Sequence, residues 1–187
     1  VLSEPEFLSL SAGIVLQAYL PDSHAIQREL TEWSMERVKN GGAPIKVRIV
    51  KGANMAMEEH EASLKGWEQT PYTAKVRTDA NYKRMVLYAC EPPHAQAVHI
   101  GIASHNIFDI AFAMLLRLEN RVEKEITFEM LEGMADHMRR VIQSLTGDML
   151  LYCAVSTKKD FQSAIAYLIR RLDENTGAEN FLAHSFG

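Results

Sequence analysis

The sequence predicts an α/β protein built around a parallel β-sheet, and three observations lead to this fold class. Short runs rich in β-branched residues alternate with segments of helical periodicity, and this cycle repeats five times along the chain. The strand-like runs are apolar on both faces where their length allows, as strands of parallel sheets usually are. The chain has 187 residues, of which 47% are hydrophobic and 24% charged, so it is long enough to bury the core of one domain.

The first unit consists of a strand predicted over Gly13–Leu20 and a helix predicted over Ser23–Lys39. Ile26, Leu30 and Trp33 recur at helical spacing, which predicts that their side of the helix is buried. The sequence Asn-Gly-Gly follows and should end the helix, because asparagine and glycine are typical of helix termini.

The second unit begins with a strand predicted over Lys46–Val50, followed by a long connection with a short helix near Met55–Leu64. Thr78 or Asp79 is expected to cap the next helix, since both side chains can accept a bond from a free backbone N–H. The apolar stripe of this helix comprises Tyr82, Met85, Val86 and Ala89. That spacing predicts a helix packed on the sheet.

Three further units complete the pattern. Their strands are predicted over Ala97–Ala103, Ile126–Leu131 and Met149–Val155. The first of these strands leads into a helix over Ile107–Leu118, which Ser104 or Asn106 can cap, and the second leads into a helix that Gly147 ends. The buried face of this second helix is predicted to comprise Met134, Met138, Val141 and Leu145. The last helix, over Lys159–Asn175, is predicted to bury Phe161, Ile165, Leu168 and Leu172.

Two architectures fit these units: an open doubly wound sheet and part of an eight-unit barrel. The glycine fingerprint G-x-G-x-x-G is missing, which argues against a dinucleotide-binding sheet of the usual kind. Polar side chains stand at the ends of the predicted strands, where barrel enzymes carry their chemistry. These residues are Gln17, Arg48, Lys51, His105 and Tyr152. Periodicity alone leaves both architectures open.

Composition argues against several classes of protein. The formal net charge of −4 disfavours wholesale binding of nucleic acid, and no apolar run approaches the ~20 residues that span a bilayer. Cys90 and Cys153 lack metal-ligand spacing and are expected to be reduced thiols. No metal site is predicted, because the acidic residues around His60 also lack such spacing. We expect a cytoplasmic protein, with peripheral contact to a membrane left open.

The last predicted helix carries the most informative polar face. Tyr167, Arg170, Arg171 and Glu174 follow one another at positions i, i+3, i+4 and i+7. Two adjacent arginines offer two planar forks, which suit a carboxylate ligand. The alternative is a solvated helix face with a local ion pair between Arg171 and Glu174.

Two strand ends add candidates for a binding site. In the run Arg48–Ala53, alternation places the arginine opposite Val47 and Ile49, and the glycine lets a flat ring or a phosphate approach the backbone. In the run Ser104–Asn106, a helix N-terminus and His105 favour an anion. The alternatives are an edge-strand arginine that reaches water and ordinary helix capping by the serine or the asparagine.

These segments also carry a family resemblance that extends over nearly the whole chain. The run AYLIRRLDENTG at Ala166–Gly177 resembles the signature of the proline dehydrogenase family. The runs QAYL, RIVKGA and SHN and the tyrosine Tyr152 occur in the family's order, and PYTAKVRTDANY resembles its segment after the fifth barrel strand. Within the family, the chain is most similar to the bifunctional bacterial proline utilization A group, in which a second dehydrogenase domain follows the barrel.

The resemblance implies a fold and a set of site residues. Residues 1–187 would form the C-terminal portion of a (β/α)8 TIM-type barrel, with strands four to eight and their helices. Arg170 and Arg171 would bind the carboxylate of L-proline, and the pocket would be lined by Tyr152, Tyr167 and Leu131. Arg48 would lie near N5 of a non-covalent FAD. The other FAD-site residues would be Gln17, Val50, Lys51, Gly52, Ala53, Thr73, Lys75, Ser104, His105, Asn106 and Glu174, the last of which supports the Arg171 side.

The implied reaction is the oxidation of L-proline to pyrroline-5-carboxylate, with a membrane quinone as electron acceptor. Two departures from the family stand out: Asn54 replaces an aromatic residue found in many relatives, and the first three barrel strands, which supply a lysine and an aspartate, are absent. We therefore expect a homo-oligomer or association with the missing half of the barrel. The alternatives are a carboxylate- or phosphate-binding barrel enzyme without flavin, and an inactive structural module.

Overall fold

The computed structural model describes the backbone of residues 1–176 and the side chains of residues 1–172, and its centre is a five-stranded parallel sheet. The strands are β1 (Gly13–Gln17), β2 (Ile45–Val50), β3 (Val98–Ala103), β4 (Ile126–Leu131) and β5 (Leu150–Tyr152). They lie side by side in chain order, β1-β2-β3-β4-β5. A doubly wound sheet reverses its strand order at a switch point, so this alternative is wrong for these units.

Seven helices are described. Their bounds are α1 (Ser23–Lys39), α2 (Met55–Lys65), α3 (Lys75–Ala89), α4 (Pro92–Ala97), α5 (Ile107–Glu119), α6 (Asp136–Thr146) and α7 (Phe161–Thr176). Among them, α1, α3 and α4 pack against the sheet. None of these helices, as far as the structure describes them, is long and apolar enough to cross a membrane.

The predicted elements are confirmed in kind, but several boundaries differ. The first strand ends at Gln17 and the fifth spans only three residues, so both are shorter than predicted. α3 begins at Lys75, before either predicted cap, and its N-cap makes no side-chain hydrogen bond. The short helix α4 was not predicted, because six residues show no helical periodicity. Two single-turn 3₁₀ helices, at Pro5–Phe7 and Lys158–Asp160, were also not predicted.

The core lies between the sheet and the helices. Ile45, Val47 and Ile49 of β2 are buried on this side, whereas Arg48 lies on the opposite face, as alternation predicted. The predicted stripe of α3 packs here, and all four of its residues are buried. Because successive residues of a strand point to opposite faces, burial of these three residues directs Arg48 to the face that borders the site.

The apolar stripe of α1 is buried only in part, because Leu30 packs against the core and the other two residues do not. Ile26 and Trp33 are 44% and 37% exposed, and the buried residues are instead Ser23, Gln27, Thr31, Ser34 and Arg37. This face is polar because it meets backbone carbonyls: Gln27 Nε2 donates to Met85 O at 2.9 Å, and Ser34 Oγ donates to Ala97 O at 2.7 Å. Buried polar groups with such partners are not penalised.

The buried faces predicted for α6 and α7 were also wrong in part. Met138 of α6 is buried, but Val141 and Leu145 are exposed. In α7 all four residues of the predicted stripe, from Phe161 to Leu172, are exposed. A helical stripe shows which side chains share a face, but only a neighbouring element can bury them, and the described elements leave these faces uncovered.

Both cysteines are free, as predicted: Cys90 is buried in the core and Cys153 is exposed.

A cationic cavity at the carboxyl ends of the strands

A cavity of about 420 Å³ opens at one edge of the sheet. The last residues of four strands line it: Gln17, Val50, Ala103 and Leu131. Parallel strands end at the same edge, so the sequence-distant candidates meet there. The other lining residues are Val15, Arg48, Lys51, Gly52, Ala53, Asn54, Lys75, Ser104, His105, Asn106, Glu129, Met130, Tyr167, Arg170 and Arg171. The volume is typical of sites for small molecules or parts of cofactors.

The charged groups of this lining are mainly cationic. Among the described residues, the lining contains five cationic side chains, Arg48, Lys51, Lys75, Arg170 and Arg171, and one carboxylate, Glu129. That carboxylate is itself paired with two cations, so it does not repel an anion in the cavity. Such a surplus of arginine and lysine in a concave site favours ligands that carry carboxylate or phosphate groups.

Arg48 extends from β2 into the cavity and is held on two sides. Its Nε donates to Glu129 Oε2 at 2.7 Å, and Lys46 Nζ lies 2.9 Å from Glu129 Oε1. The centre of its guanidinium lies 3.9 Å from the centroid of the Tyr152 ring. Charge-assisted pairing and the cation–π contact together restrict the arginine to one orientation.

Arg171 connects α7 to the loop that follows β2. Its Nη2 donates to the carbonyl oxygen of Ala53 at 3.1 Å and to Asn54 Oδ1 at 3.2 Å. Its guanidinium centre lies 5.0 Å from the centroid of the Tyr167 ring. Asn54 therefore accepts a hydrogen bond from one of the two arginines that were predicted to bind the substrate.

Lys51 anchors the end of β2 to two helices. Its Nζ lies 2.7 Å from Asp109 Oδ2 of α5 and 2.5 Å from Asp79 Oδ1 of α3, and Lys75 pairs with the other oxygen of Asp79. Burial alone would lower the pKa of Lys51, but the hydrogen bonds and charges of the two aspartates outweigh it and raise this pKa. Burial of Asp79 is likewise outweighed by the two lysines, which lower the pKa of its carboxyl.

His105 and Asn106 lie where β3 passes into α5. His105 Nε2 accepts from the backbone N–H of Leu131 at 3.2 Å, so the ring is neutral with its proton on Nδ1. Burial, with a smaller contribution from the charge of Arg48, lowers the pKa of His105 to about 4. Asn106 Oδ1 accepts from the N–H of Phe108 at 2.9 Å and caps the helix.

The low pKa of His105 predicts an acid-sensitive contribution to stability. An unfolded histidine binds a proton near pH 6.5, whereas the native one does so near pH 4. Between these values only the unfolded state takes up the proton, so the free energy of unfolding should fall as the pH decreases from 6.5 to 4. We expect His105→Gln, whose carbonyl can still accept from Leu131, to lose less stability than the wild type over this window in urea titrations. Parallel pH curves for the two proteins would contradict the assignment.

Gly52 is required by the backbone at the end of β2. Its φ is +128°, and a Cβ at this position would lie 2.4 Å from Cγ of the Tyr19 ring. Tyr19 is buried, and its backbone N–H donates to the carbonyl of Lys51 at 2.7 Å. The glycine therefore permits both the turn and the close packing that set the wall of the cavity.

Most of the predicted site residues meet in this cavity, and two of the described ones do not line it. Tyr152 contacts Arg48 instead, and Thr73 is exposed outside the lining. The side chain of Glu174, which was also predicted to belong to the site, lies outside the described residues. Sequence reasoning missed Glu129, Lys46, Asp79 and Asp109. A signal existed for Glu129, because a carboxylate in the middle of the apolar strand β4 needs a partner.

Fold and site define an α/β protein with a cavity of mainly cationic lining at the carboxyl ends of parallel strands. The profile of the family described as "Proline dehydrogenase" matches residues 1–184, and the chain therefore belongs to this family. The structure of Proline Utilization A (PutA) from Corynebacterium freiburgense is 47% identical, with a TM-score of 0.88 over 93% of this chain. PutA from Bdellovibrio bacteriovorus, in a structure inactivated by N-propargylglycine, is 37% identical, with a TM-score of 0.88 over the whole of this chain.

Curated relatives include the "Bifunctional protein PutA" of Salmonella typhimurium, 27% identical over 187 residues, and a mouse "Hydroxyproline dehydrogenase", 27% identical over 163 residues. These alignments take in 96% and 85% of this chain. The chain spans only 14% of the Salmonella protein, 34% of the mouse protein, and 18% and 19% of the two solved structures.

Proposed function

We propose that this chain contributes five units of a (β/α)8 TIM-type barrel that oxidises L-proline to pyrroline-5-carboxylate with FAD. The observation that carries the proposal is the cavity in which Arg48, Arg170 and Arg171 converge from β2 and α7. The chain-order arrangement of the parallel strands supports the barrel, because a barrel keeps neighbouring units adjacent. Membership of the proline dehydrogenase family supports the reaction.

The donors around the cavity fit a flavin cofactor. Arg48 offers a fixed cation for the electron-rich edge of an isoalloxazine ring, and Gln17 offers an amide on the neighbouring strand. Gly52 leaves the backbone accessible along the run Val50–Ala53. The ribityl and phosphate groups would lie toward Lys75 and the start of α5, where Ser104, His105 and Asn106 line the cavity. Bound FAD would supply the acceptor for the hydride.

The substrate site would lie on the α7 side of the cavity. Arg170 and Arg171 would hold the proline carboxylate through charge-assisted hydrogen bonds. Because Arg171 is tied to Ala53 and Asn54, the carboxylate would be fixed relative to the end of β2. Tyr167 and Leu131 would form the walls around the pyrrolidine ring, while Tyr152 would act through its contact with Arg48. This geometry would aim the carbon next to nitrogen at the acceptor.

The parent protein would pass electrons to a membrane quinone from a cytoplasmic position. Further barrel strands or a second copy of the chain would complete the barrel. The exposed apolar residues Ile14 and Val15 support this, because they lie on β1, which has only β2 as a neighbour among the described strands.

A cationic cavity also suits a carboxylate or phosphate ligand in an enzyme without flavin, and the visible spectrum separates the two functions. We expect the purified protein to retain added FAD through gel filtration, with flavin bands that bleach on anaerobic addition of L-proline. D-proline and glycine are the controls for substrate-specific reduction, and neither should bleach the bound flavin. Absence of retained flavin, with binding of phosphate or a carboxylate instead, would favour the alternative.

A further inference from the structure

Glu129 is a fully buried carboxylate that the roles above leave unexplained. It lies on β4, and its side chain has no exposed surface. Its two oxygens approach Arg48 and Lys46, which lie on β2, two strands away. The carboxylate therefore crosses the intervening strand β3 on the cavity side of the sheet. Burial of a carboxylate costs free energy unless cations or hydrogen-bond donors compensate its charge.

Gly101 makes this crossing possible. It lies on β3 directly beside Arg48 in the strand register. A Cβ added to Gly101 would lie 2.0 Å from Glu129 Oε1 and 2.4 Å from its Cδ, and the three nearest heavy atoms all belong to this glutamate. Any residue with a side chain at this position would displace the carboxylate. The glycine and the glutamate therefore form a structural pair.

The ion pair between Glu129 and Arg48 determines which part of the arginine side chain faces the cavity. Glu129 accepts from Nε, the nitrogen nearest the backbone, at 2.7 Å, so the far end of the guanidinium remains directed to other partners. The Tyr152 ring covers one face of the guanidinium at 3.9 Å. Lys46 compensates the carboxylate, so the group of two cations and one anion keeps one net positive charge beside the cavity.

We propose that Glu129 is a positioning residue that holds Arg48 in its functional orientation by reaching over Gly101. The proposal rests on the function inferred above, in which Arg48 faces the flavin. Without the carboxylate, Arg48 would gain rotational freedom and two cations would stand uncompensated. The first effect lowers the rate of hydride transfer, and the second favours reduced flavin, whose negative charge a nearby cation stabilises.

The first test compares Glu129→Gln, Glu129→Ala and the matched control Glu123→Gln, which removes one exposed carboxylate from the loop before β4. We expect Glu129→Gln to bind FAD with a raised reduction potential, and Glu129→Ala to lower kcat roughly 10- to 100-fold with little change in KM. The control should match the wild type in all three quantities. Folded, flavin-loaded Glu129 variants with wild-type potential and kcat would overturn the proposal, since a merely structural glutamate would change only stability.

The second test uses Gly101→Ala, which keeps every charged group but displaces the carboxylate. We expect it to lower kcat about as much as Glu129→Ala does, and the double variant to be no worse than either single variant. The losses in the free energy of unfolding, measured for the same three variants in urea, should also be non-additive. Removing the Glu129 carboxylate relieves its clash with the methyl group added at position 101. Additive losses would show that the two residues act independently and would overturn the pairing.

The outcomes distinguish this inference from the proposed function. A wild-type protein that neither retains flavin nor bleaches with proline would contradict the function and, with it, the role of Glu129. A wild-type protein that does both, together with unaffected Glu129 variants, would contradict only the positioning role.

Discussion

Replacing Arg171 by methionine is expected to lower kcat/KM for proline about 1000-fold, the largest effect on activity that the site predicts. The substitution would remove the charge-assisted bond that we propose between Arg171 and the substrate carboxylate, and such bonds contribute about 1.5–3 kcal/mol. It also removes the hydrogen bonds to Ala53 and Asn54, which fix α7 against the loop after β2. Both losses act on substrate orientation, so they reinforce one another. Steady-state kinetics with L-proline measure the effect.

Two further variants separate these contributions. Arg171→Lys keeps the charge but loses the planar fork, so we expect an intermediate loss. Asn54→Ala removes only one of the two hydrogen bonds from Arg171 to the loop and should cost about tenfold, roughly the value of one hydrogen bond. Arg140→Met on the exposed face of α6 is the matched control and should have wild-type kinetics. Equal kinetics for Arg171→Met and the control would show that this arginine does not bind substrate.

Gly52→Ala is expected to have the largest effect on stability, with the free energy of unfolding lowered by about 3 kcal/mol. The φ of +128° is strained for any residue with a Cβ, which costs on the order of 1–3 kcal/mol. The new methyl group would also meet the buried Tyr19 ring at 2.4 Å, and overpacking of this kind costs about 1–3 kcal/mol. Because Gly52 lines the cavity, we also expect weaker retention of FAD. Urea denaturation and flavin titration measure the two effects.

Gly66→Ala is the appropriate control for the backbone contribution. Gly66 ends α2 with a φ of +65°, and no atom lies within 4 Å of the position that the new methyl group would take. We expect this variant to lose about 1 kcal/mol and to bind FAD as the wild type does. The difference between the two variants then contains the contact with Tyr19 and any extra backbone strain at φ +128° relative to +65°. If both variants lose the same stability, this contact does not constrain the end of β2.

The sequence predicted the five strands, most of the helices and the two faces of β2. Alternation in β2 placed Arg48 opposite Val47 and Ile49, because residues two apart in any strand share a face. The stripe of α3 was likewise predicted correctly, since its apolar residues are flanked by polar ones. The family resemblance brought Arg170 and Arg171 into the site, a step that helical spacing alone left open.

Only the tertiary structure decided which faces of α1, α6 and α7 are buried and which strands are linked through their side chains. Ile26 and Trp33 of α1 face outward because Gln27 and Ser34 find carbonyl partners inside, and periodicity contains no information about such partners. The link from Glu129 to Arg48 depends on β3 lying between β2 and β4 and on a glycine at the crossing point. Local sequence fixes the direction of a side chain relative to its own strand, whereas strand order and register determine what that side chain meets.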